Sequence, residues 1–369
     1  MWNAKLVAEL LSQGFIQSKN DYSLFVRNKD GKICIAAVYM DDVFIKDLGT
    51  VHYFLGIEID YTNNGFILSQ RKFARELLKA ADCDVSKSVV TPLPVHLKLS
   101  KSDGDLIDNP EKYRSLVGKL NYLTNTRPDL AYVVQTLSQF MNEPKTTHWS
   151  SLEHTLKYVN STLHQGFLLN SSDNLKLQAF SDADWASCPD SRRSITGYIL
   201  LFGNSPVTWK SKKQPTVSKS SSEAEYRAMA AAASEVTWAV RLLEDLGVTE
   251  LKPVTLHCDN QSALYIAKNL VFHERTKHIE LDCHFTRDKV LEALLQLTYL
   301  PTKSQLADVF TKVSPSVQFN SLLTKLGVCS SDTPNLRGDV ENPAHGQRCK
   351  AASNYKNDPE CSDDVKLPP

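Results

Sequence analysis

Between residues 175 and 312, strand-like and helical runs follow one another in an order that few architectures accept. Leu175–Trp185, Arg192–Phe202 and Val207–Lys212 read as strands, with Gly203-Asn-Ser-Pro206 as the turn between the last two. Ser220–Leu246 reads as one long helix closed by Gly247. Val254–Cys258 reads as a buried strand, followed by a helix from Asn260 to about Lys268 and a helical stretch from Ile279 to about Leu294. A strand Leu295–Leu300 and a last helix Ser304–Lys312 complete the series. This order predicts an α/β unit: a five-stranded mixed sheet flanked by helices.

Separate segments of that unit each carry a carboxylate: Phe180-Ser-Asp-Ala-Asp184, Ser222-Glu-Ala-Glu-Tyr226, His257-Cys-Asp-Asn-Gln261 and Leu306-Ala-Asp308. Carboxylates brought together from different elements repel one another unless cations sit between them. Mg²⁺ takes hard oxygen ligands, and a pair of such ions about 4 Å apart drives phosphodiester hydrolysis. Alternation puts Phe180, Asp182 and Asp184 on one side of their strand, with Asp184 one pleat beyond Asp182. Glu223 and Glu225 cannot share a face, because two helical residues lie about 200° apart. The stripe Met229, Ala232, Val236, Val240, Leu243 extends back to Glu225, which therefore points inward. Glu223 starts the stripe Arg227, Ser234, Arg241 and is set for a surface pair with Arg227. Asp259 ends a buried strand, where ligands gather, and is equally placed to cap the next helix. Asp308, in the first turn of the last helix, is a candidate ligand or a residue that favours the helix dipole.

The whole chain has 369 residues, 42% hydrophobic and 23% charged, which is enough for two or three domains with a sizeable core. Lys+Arg and Asp+Glu both number 42, so a nucleic-acid footprint has to be a local patch. Lys210, Lys212, Lys213 and Lys219, with Trp209 beside them, are the candidate patch; an ordinary solvated face would look the same. The eight cysteines include no Cys-x-x-Cys pair, which argues against a zinc knuckle and for free thiols in a reducing compartment. No signal-peptide layout and no 18-residue apolar run occur. The expected location is intracellular, cytoplasmic or nuclear, with no membrane partner.

The first half reads as a helix over 2–15, strands Tyr22–Arg27 and Ile33–Tyr39 joined by Asn28-Lys-Asp-Gly31, and a helix over 66–82. Val90–Asp108 reads as a Pro- and Ser-bearing linker, and 111–124, 128–141 and 148–163 read as helices. The second strand ends in Tyr39-Met-Asp-Asp42, which resembles the reverse-transcriptase palm motif. Lys46-Asp-Leu-Gly49, His52-Tyr-Phe-Leu-Gly-Ile-Glu-Ile59, Tyr113-Arg-Ser-Leu-Val-Gly-Lys-Leu-Asn-Tyr122, Thr126-Arg-Pro-Asp129 and Leu137-Ser-Gln-Phe-Met141 resemble the polymerase of copia-type LTR retrotransposons. Ser181-Asp-Ala-Asp-Trp-Ala186, Ser194-Ile-Thr-Gly-Tyr198, Trp209-Lys-Ser-Lys-Lys-Gln214, Glu223-Ala-Glu-Tyr226, His273-Glu-Arg-Thr-Lys-His-Ile279 and Gln305-Leu-Ala-Asp-Val-Phe-Thr-Lys312 resemble the same family's ribonuclease H. The resemblance runs from about residue 2 to about 328.

What the resemblance implies is a partial reverse-transcriptase palm over 1–89, a linker with thumb and connection helices over 90–170, a ribonuclease H-like domain over 171–330 and a disordered tail over 331–369. It also implies Asp182, Glu225, Asp259 and Asp308 as ligands of two Mg²⁺ ions, with Mn²⁺ able to substitute, and an RNA–DNA hybrid as partner. Asn260, Gln261 and Ser262 match the positions that meet the 2′-hydroxyls of RNA. The lysine patch, Lys210, Lys212 and Lys213 foremost, would take the DNA backbone. Two departures bear on the polymerase. The family's other palm Asp lies well upstream of Tyr-Met-Asp-Asp, and no such segment precedes Tyr39 here. Only Val43, Phe44 and Ile45 separate Asp42 from Lys46, and three residues reach about 10 Å, too little for the family's return strand and helix. Asp41 and Asp42 are therefore expected to be vestigial and DNA synthesis absent. Pro301 to Asp308 is also too short for the retroviral loop histidine, and His278 and His284 lie upstream of it. The rival expectation is a catalytically silent transposon remnant that at most binds nucleic acid.

Overall fold

The sheet that carries the carboxylates owes its order to one long helix and two buried faces. A computed structural model describes residues 2–29, 32–38, 51–171, 174–268 and 280–330. In the second half, β8 (Leu177–Asp184) pairs antiparallel with β9 (Ile195–Phe202), and β9 with β10 (Ser205–Lys213). On the other side of β8, β11 (Val254–Cys258) runs parallel to it and to β12 (Leu295–Tyr299). The five-stranded order is β10-β9-β8-β11-β12, the mixed sheet of a ribonuclease H-like fold.

Alternation along these strands divides the side chains between two cores. Leu177, Ala179 and Leu200 face α6 (Ser221–Asp245), whose buried stripe is Met229, Ala232, Val236 and Val240. Helices α7 (Gln261–Lys268) and α8 (Glu280–Leu291) complete that layer. Each fully buried large aliphatic side chain there contributes about 1.5–3 kcal/mol. Phe180, Ile199 and Leu201 face the opposite way, into a core built by α2 (Arg71–Ala81), α3 (Pro110–Leu123), α4 (Ala131–Ser138) and α5 (Thr146–Ser161). The first-half helices thus form the second cover of the second-half sheet.

A second five-stranded sheet, which the sequence reading did not anticipate, has the order β13-β7-β6-β5-β4. It joins β4 (Tyr53–Phe54), β5 (Ile57–Thr62) and β6 (Gly65–Ser69) to β7 (Gln165–Asn170) and β13 (Val328–Ser330). The expected helix over 66–82 is instead strand β6 followed by α2. Phe66, Ile67 and Leu68 find backbone partners on both sides, in β5 and β7, and that pairing overrides a run too short to fix its own period. Gln70 ends the strand, buried, with Oε1 accepting from Thr126 Oγ1 at 2.9 Å. Near the N-terminus, α1 (Trp2–Ser12) precedes a three-stranded sheet of β1 (Ile16–Gln17), β2 (Leu24–Lys29) and β3 (Lys32–Ala37).

The 90–108 segment holds no helix or strand, yet it is strapped to α5. Thr155 Oγ1 donates to Pro92 O at 3.1 Å, His154 Nε2 lies 3.0 Å from Thr91 O and His148 Nε2 lies 3.0 Å from Ser100 O. Leu93 and Leu99 are buried in the core below. The same core encloses a charged network. Arg127 and Asp129 form an ion pair at 2.7 Å with side chains 2% and 0% exposed. Tyr158 Oη donates to Asp129 at 2.8 Å, and Arg127 donates to Thr162 O and Oγ1. Among the described residues no helix is long and apolar enough to cross a membrane.

The expected final helix Ser304–Lys312 is instead two 3-10 turns, Thr302–Ser304 and Leu306–Phe310, after which α9 (Ser316–Lys325) begins. Gln305 between them is extended (φ −70°, ψ 107°) and fully buried. Its Nε2 donates to Ser181 O at 2.9 Å and its Oε1 accepts from Ala307 N at 3.2 Å. A side chain pinned in both directions fixes the break, so the segment crosses the end of β8 without continuing as a helix.

Candidate metal centre

Each candidate carboxylate arrives at the same place by a different local route. Asp182 lies two residues before the end of β8, opposite Gly197 of β9, and is 3% exposed. The parallel register pairs His257 with Phe180, so two further residues bring Asp259 level with Asp182. Glu225 comes from the second turn of α6, where Ser220 Oγ accepts from Glu223 N and Glu223 Oε2 accepts from Lys219 N at 2.8 Å. Glu223 thereby orders the helix start, and Glu225 reaches the sheet, its Oε1 accepting from Ala183 N at 3.2 Å. Asp308 comes from the 3-10 turn and is fully buried.

Lys312, which the sequence reading passed over, stands among these groups. Its Nζ lies 2.9 Å from Asp308 Oδ1 and 3.7 Å from Asp182 Oδ2. The carboxylates around it hold its ammonium well above the usual lysine range despite burial. Thr311 Oγ1 donates to Asp182 Oδ2, and Thr302 Oγ1 donates to Asp259 Oδ2 at 2.8 Å. Lys312 follows Asp308 at the i,i+4 spacing, a signal present in the sequence; Thr311 and Thr302 left none.

One ammonium does not neutralise this cluster. Burial, with Asp182 and then Asp259 nearby, pushes the Glu225 carboxyl up to about 10. Burial and Asp182 push Asp308 up to about 7, and burial with Asp182 also raises Asp259. Asp308 Oδ2 is buried without a hydrogen-bond donor. An orphaned carboxylate oxygen beside crowded like charges is what a hard divalent cation would satisfy, so the residues fit Mg²⁺. Asp184, at the strand end, is raised chiefly by burial, while a hydrogen bond from Ser187 and the nearby Lys312 act the other way.

Carboxyls with raised folded pKa values make stability fall as pH rises. Such a group binds its proton more tightly in the folded chain, so its contribution is intact at low pH and lost as pH climbs through the folded value. For Asp308 and Glu225 that window opens above the ordinary carboxylate range and runs through about 7 toward about 10. The melting temperature in EDTA is expected to drop between pH 6 and pH 9, on the order of several degrees. Glu225→Gln should flatten the drop and Mg²⁺ should reverse it; a flat wild-type profile in EDTA counts against the clustered charge.

Close packing sets the position of Asp308. A Cβ on Gly197 would stand 2.7 Å from Thr311 Cγ2, 2.8 Å from Phe310 Cβ and 3.0 Å from Ala307 O. Gly197→Ala is therefore expected to push the 3-10 turn away from β9 at a cost of about 1–3 kcal/mol. It should also erase the rise in melting temperature on adding Mg²⁺. Wild-type values for both in a thermal melt would contradict this packing.

The other candidates lie around this centre. Asn260 Oδ1 caps α7 by accepting from Ala263 N at 2.9 Å, and Gln261 and Ser262 are exposed on the first turn. Lys210 and Lys212 are exposed on the edge strand β10. Lys213 turns the other way, its Nζ 2.8 Å from Gln139 Oε1 and 2.9 Å from Cys188 Sγ. Trp209 Nε1 donates to Thr124 O at 3.1 Å, docking β10 on the helices. A groove of about 580 Å³ runs beside it, lined by Asn121, Asn125, Gln135, Gln139 and Lys210 among others. Asp41, Asp42 and the His273–Ile279 motif lie outside the described residues, as does 331–369.

Comparison with known proteins places this geometry in context. The chain is 40% identical over 348 residues to the retrovirus-related Pol polyprotein from transposon RE2 of Arabidopsis thaliana, covering 89% of this chain and 24% of that protein. It is 32% identical over 251 residues to a putative transposon Ty5-1 protein of Saccharomyces cerevisiae, covering 61% of this chain and 81% of that one. Among solved structures, a ribonuclease H1 isolated from compost aligns with 40% of this chain and 99% of its own at 14% identity and a TM-score of 0.30. The chain thus spans about a quarter of the Pol polyprotein it matches. No family model matches it.

Proposed function

Because this chain belongs to the Pol polyproteins of copia-type LTR retrotransposons, corresponding to their C-terminal part, we propose that it hydrolyses the RNA strand of RNA–DNA hybrids. The observation that carries the proposal is the convergence of Asp182, Glu225, Asp259 and Asp308, from four elements, around Lys312. Two Mg²⁺ ions bound there would lower the pKa of the attacking water and neutralise charge on the leaving 3′-oxygen.

The chain's own residues set the frame for that chemistry. Ala183 N and Thr302 Oγ1 fix Glu225 and Asp259 by hydrogen bonds, so the ligands are oriented before substrate arrives. Thr311 orients Asp182 in the same way. Gln261 and Ser262, exposed beside Asp259, are positioned for 2′-hydroxyls in a wide minor groove. Lys210 and Lys212 on β10 supply charge for the DNA backbone, while Lys213 is engaged internally.

The domain plan of this reading is a partial palm over 1–89, linker and connection helices over 90–170, a ribonuclease H-like part over 171–330 and a tail beyond. The polymerase part makes no DNA in this reading, since Val43–Ile45 is too short for a return strand and helix. Incubating the full chain with Mg²⁺ and a hybrid labelled on its RNA strand tests the proposal. RNA cleavage that EDTA abolishes and a DNA duplex does not undergo supports it. Hybrid binding without cleavage supports the remnant reading. The exposed Tyr53, Phe54, Leu55 and Tyr61 on the second sheet favour that rival, because such surface burdens a chain's stability.

A further inference from the structure

The groove of about 580 Å³ between the edge strand β10 and the helices packed against it is walled by amides, hydroxyls and one lysine. Asn121 on α3, Asn125 just beyond it, Gln135 on α4 and Lys210 on β10 face it, and among the described residues no carboxylate does. Asn121, Asn125 and Lys210 are exposed. At one end Gln139 Oε1 accepts from Lys213 Nζ at 2.8 Å, which brings a second positive charge to the wall. That end lies on the same side of the sheet as the carboxylates, since Lys213 pairs with Ile195 and Ile195 with Asp184. Trp209 is held rigidly in the wall: Nε1 donates to Thr124 O, and its ring meets that of Phe167 edge-on with centroids 5.4 Å apart. Ser211 lines the groove too, and its Oγ is buried without a hydrogen-bond partner, a polar group left unmet.

We propose that this groove holds an unpaired segment of a nucleic-acid strand. Ligand pockets of about 300–1,000 Å³ take molecules the size of a nucleotide or two, and a duplex is too broad for one. Amide side chains both donate and accept, which suits the edges of unpaired bases. Amides and hydroxyls also bond phosphate and sugar oxygens. A fixed indole offers a face on which any base can stack. Lys210 and the Lys213 ammonium behind Gln139 balance phosphate charge, and the walls bring no carboxylate to repel it. Residues 207–211 span about 13 Å along β10, so a strand lying there runs away from the carboxylates beside the sheet. It would be the single-stranded continuation of a hybrid bound at the centre; that role rests on the nuclease reading, whereas binding itself does not.

Fluorescence anisotropy of the full chain with a labelled oligo-dT of about ten nucleotides, in EDTA, tests the groove. EDTA prevents metal-dependent cleavage, so a chain that never cuts hybrid still gives a readable result. The wild type should bind. Asn125→Asp combined with Gln135→Glu keeps the side-chain shapes, adds two negative charges and should weaken binding on the order of 10-fold. Asn125→Lys, at an exposed position where folding is not at stake, should tighten binding several-fold and steepen the slope of log affinity against log salt by about 0.7. A hybrid with a single-stranded overhang should bind the wild type more tightly than a blunt hybrid, and the acidic double variant should lose that difference. No binding of oligo-dT by the wild type, or one affinity shared by wild type, double variant and Asn125→Lys, overturns the proposal. Equal binding of blunt and overhanging hybrids overturns the continuation role.

Discussion

Asp182→Asn is expected to reduce cleavage of the RNA strand of a hybrid by on the order of 1,000-fold or more, about 4 kcal/mol of transition-state stabilisation. The size follows from position. Asp182 sits on the central strand β8, almost fully buried, between Lys312 and the hydroxyl of Thr311. It is also the charge that acts on Glu225, on Asp259 and on Asp308 at once. Removing it withdraws the residue that the two ions of the proposed mechanism would share. Asn keeps the shape and an oxygen that still accepts from Thr311, so the fold should survive. Relieved of one like charge, Glu225 and Asp308 should ionise more readily, and the metal-free protein should melt no lower than wild type. The decisive comparison is single-turnover cleavage for wild type and variant, with melting curves in EDTA. Equal cleavage by both would remove Asp182 from the chemistry.

Asp129→Ala carries the largest expected effect on stability. It strands the Arg127 guanidinium, 2% exposed, without its carboxylate and takes the acceptor from Tyr158 Oη. Breaking one side of such a buried pair costs about 3–5 kcal/mol, which for a chain of this size lowers the melting temperature by on the order of 10 °C. The cause is desolvation: Arg127 keeps its bonds to Thr162, but its charge is no longer balanced in a dry interior. Replacing both partners, as in Arg127→Met with Asp129→Leu, should recover part of the loss, because no buried charge then remains. Denaturant unfolding of the three proteins decides the matter. A double variant as unstable as Asp129→Ala would mean that geometry, not charge, holds this corner together. Because the same core covers the far face of the β8–β9 sheet through Phe180, Ile199 and Leu201, the loss should reach the carboxylate cluster too.

The strands β8 to β12, the long helix α6 and the inward face of Glu225 could all be read from the sequence, because each depends on local period and capping. Period two along Phe180–Asp184 already puts Phe180, Asp182 and Asp184 on one side, though not which side is buried, since both faces of β8 are covered; the Met229–Val240 stripe already turns Glu225 inward. The short runs were less legible. Gly65–Ser69 carries too few residues to declare a period, and its strand character comes from β5 and β7, the latter about a hundred residues away. Helix propensity likewise favoured Ser304–Lys312, until the buried side chain of Gln305 was held to Ser181 O and the close approach to Gly197 was made.

By itself, then, the sequence determined which residue types line up along each element, and through its motifs the family to which the chain belongs. Only the tertiary structure decided that four carboxylates meet around Lys312, that Lys213 is tied to Gln139 and that Asn125, Gln135 and Lys210 line one groove. The physical reason is that facing is a local property, set by backbone geometry over a few residues. Convergence depends on strand register and on side chains packing across the chain, and neither leaves a periodic trace in the sequence.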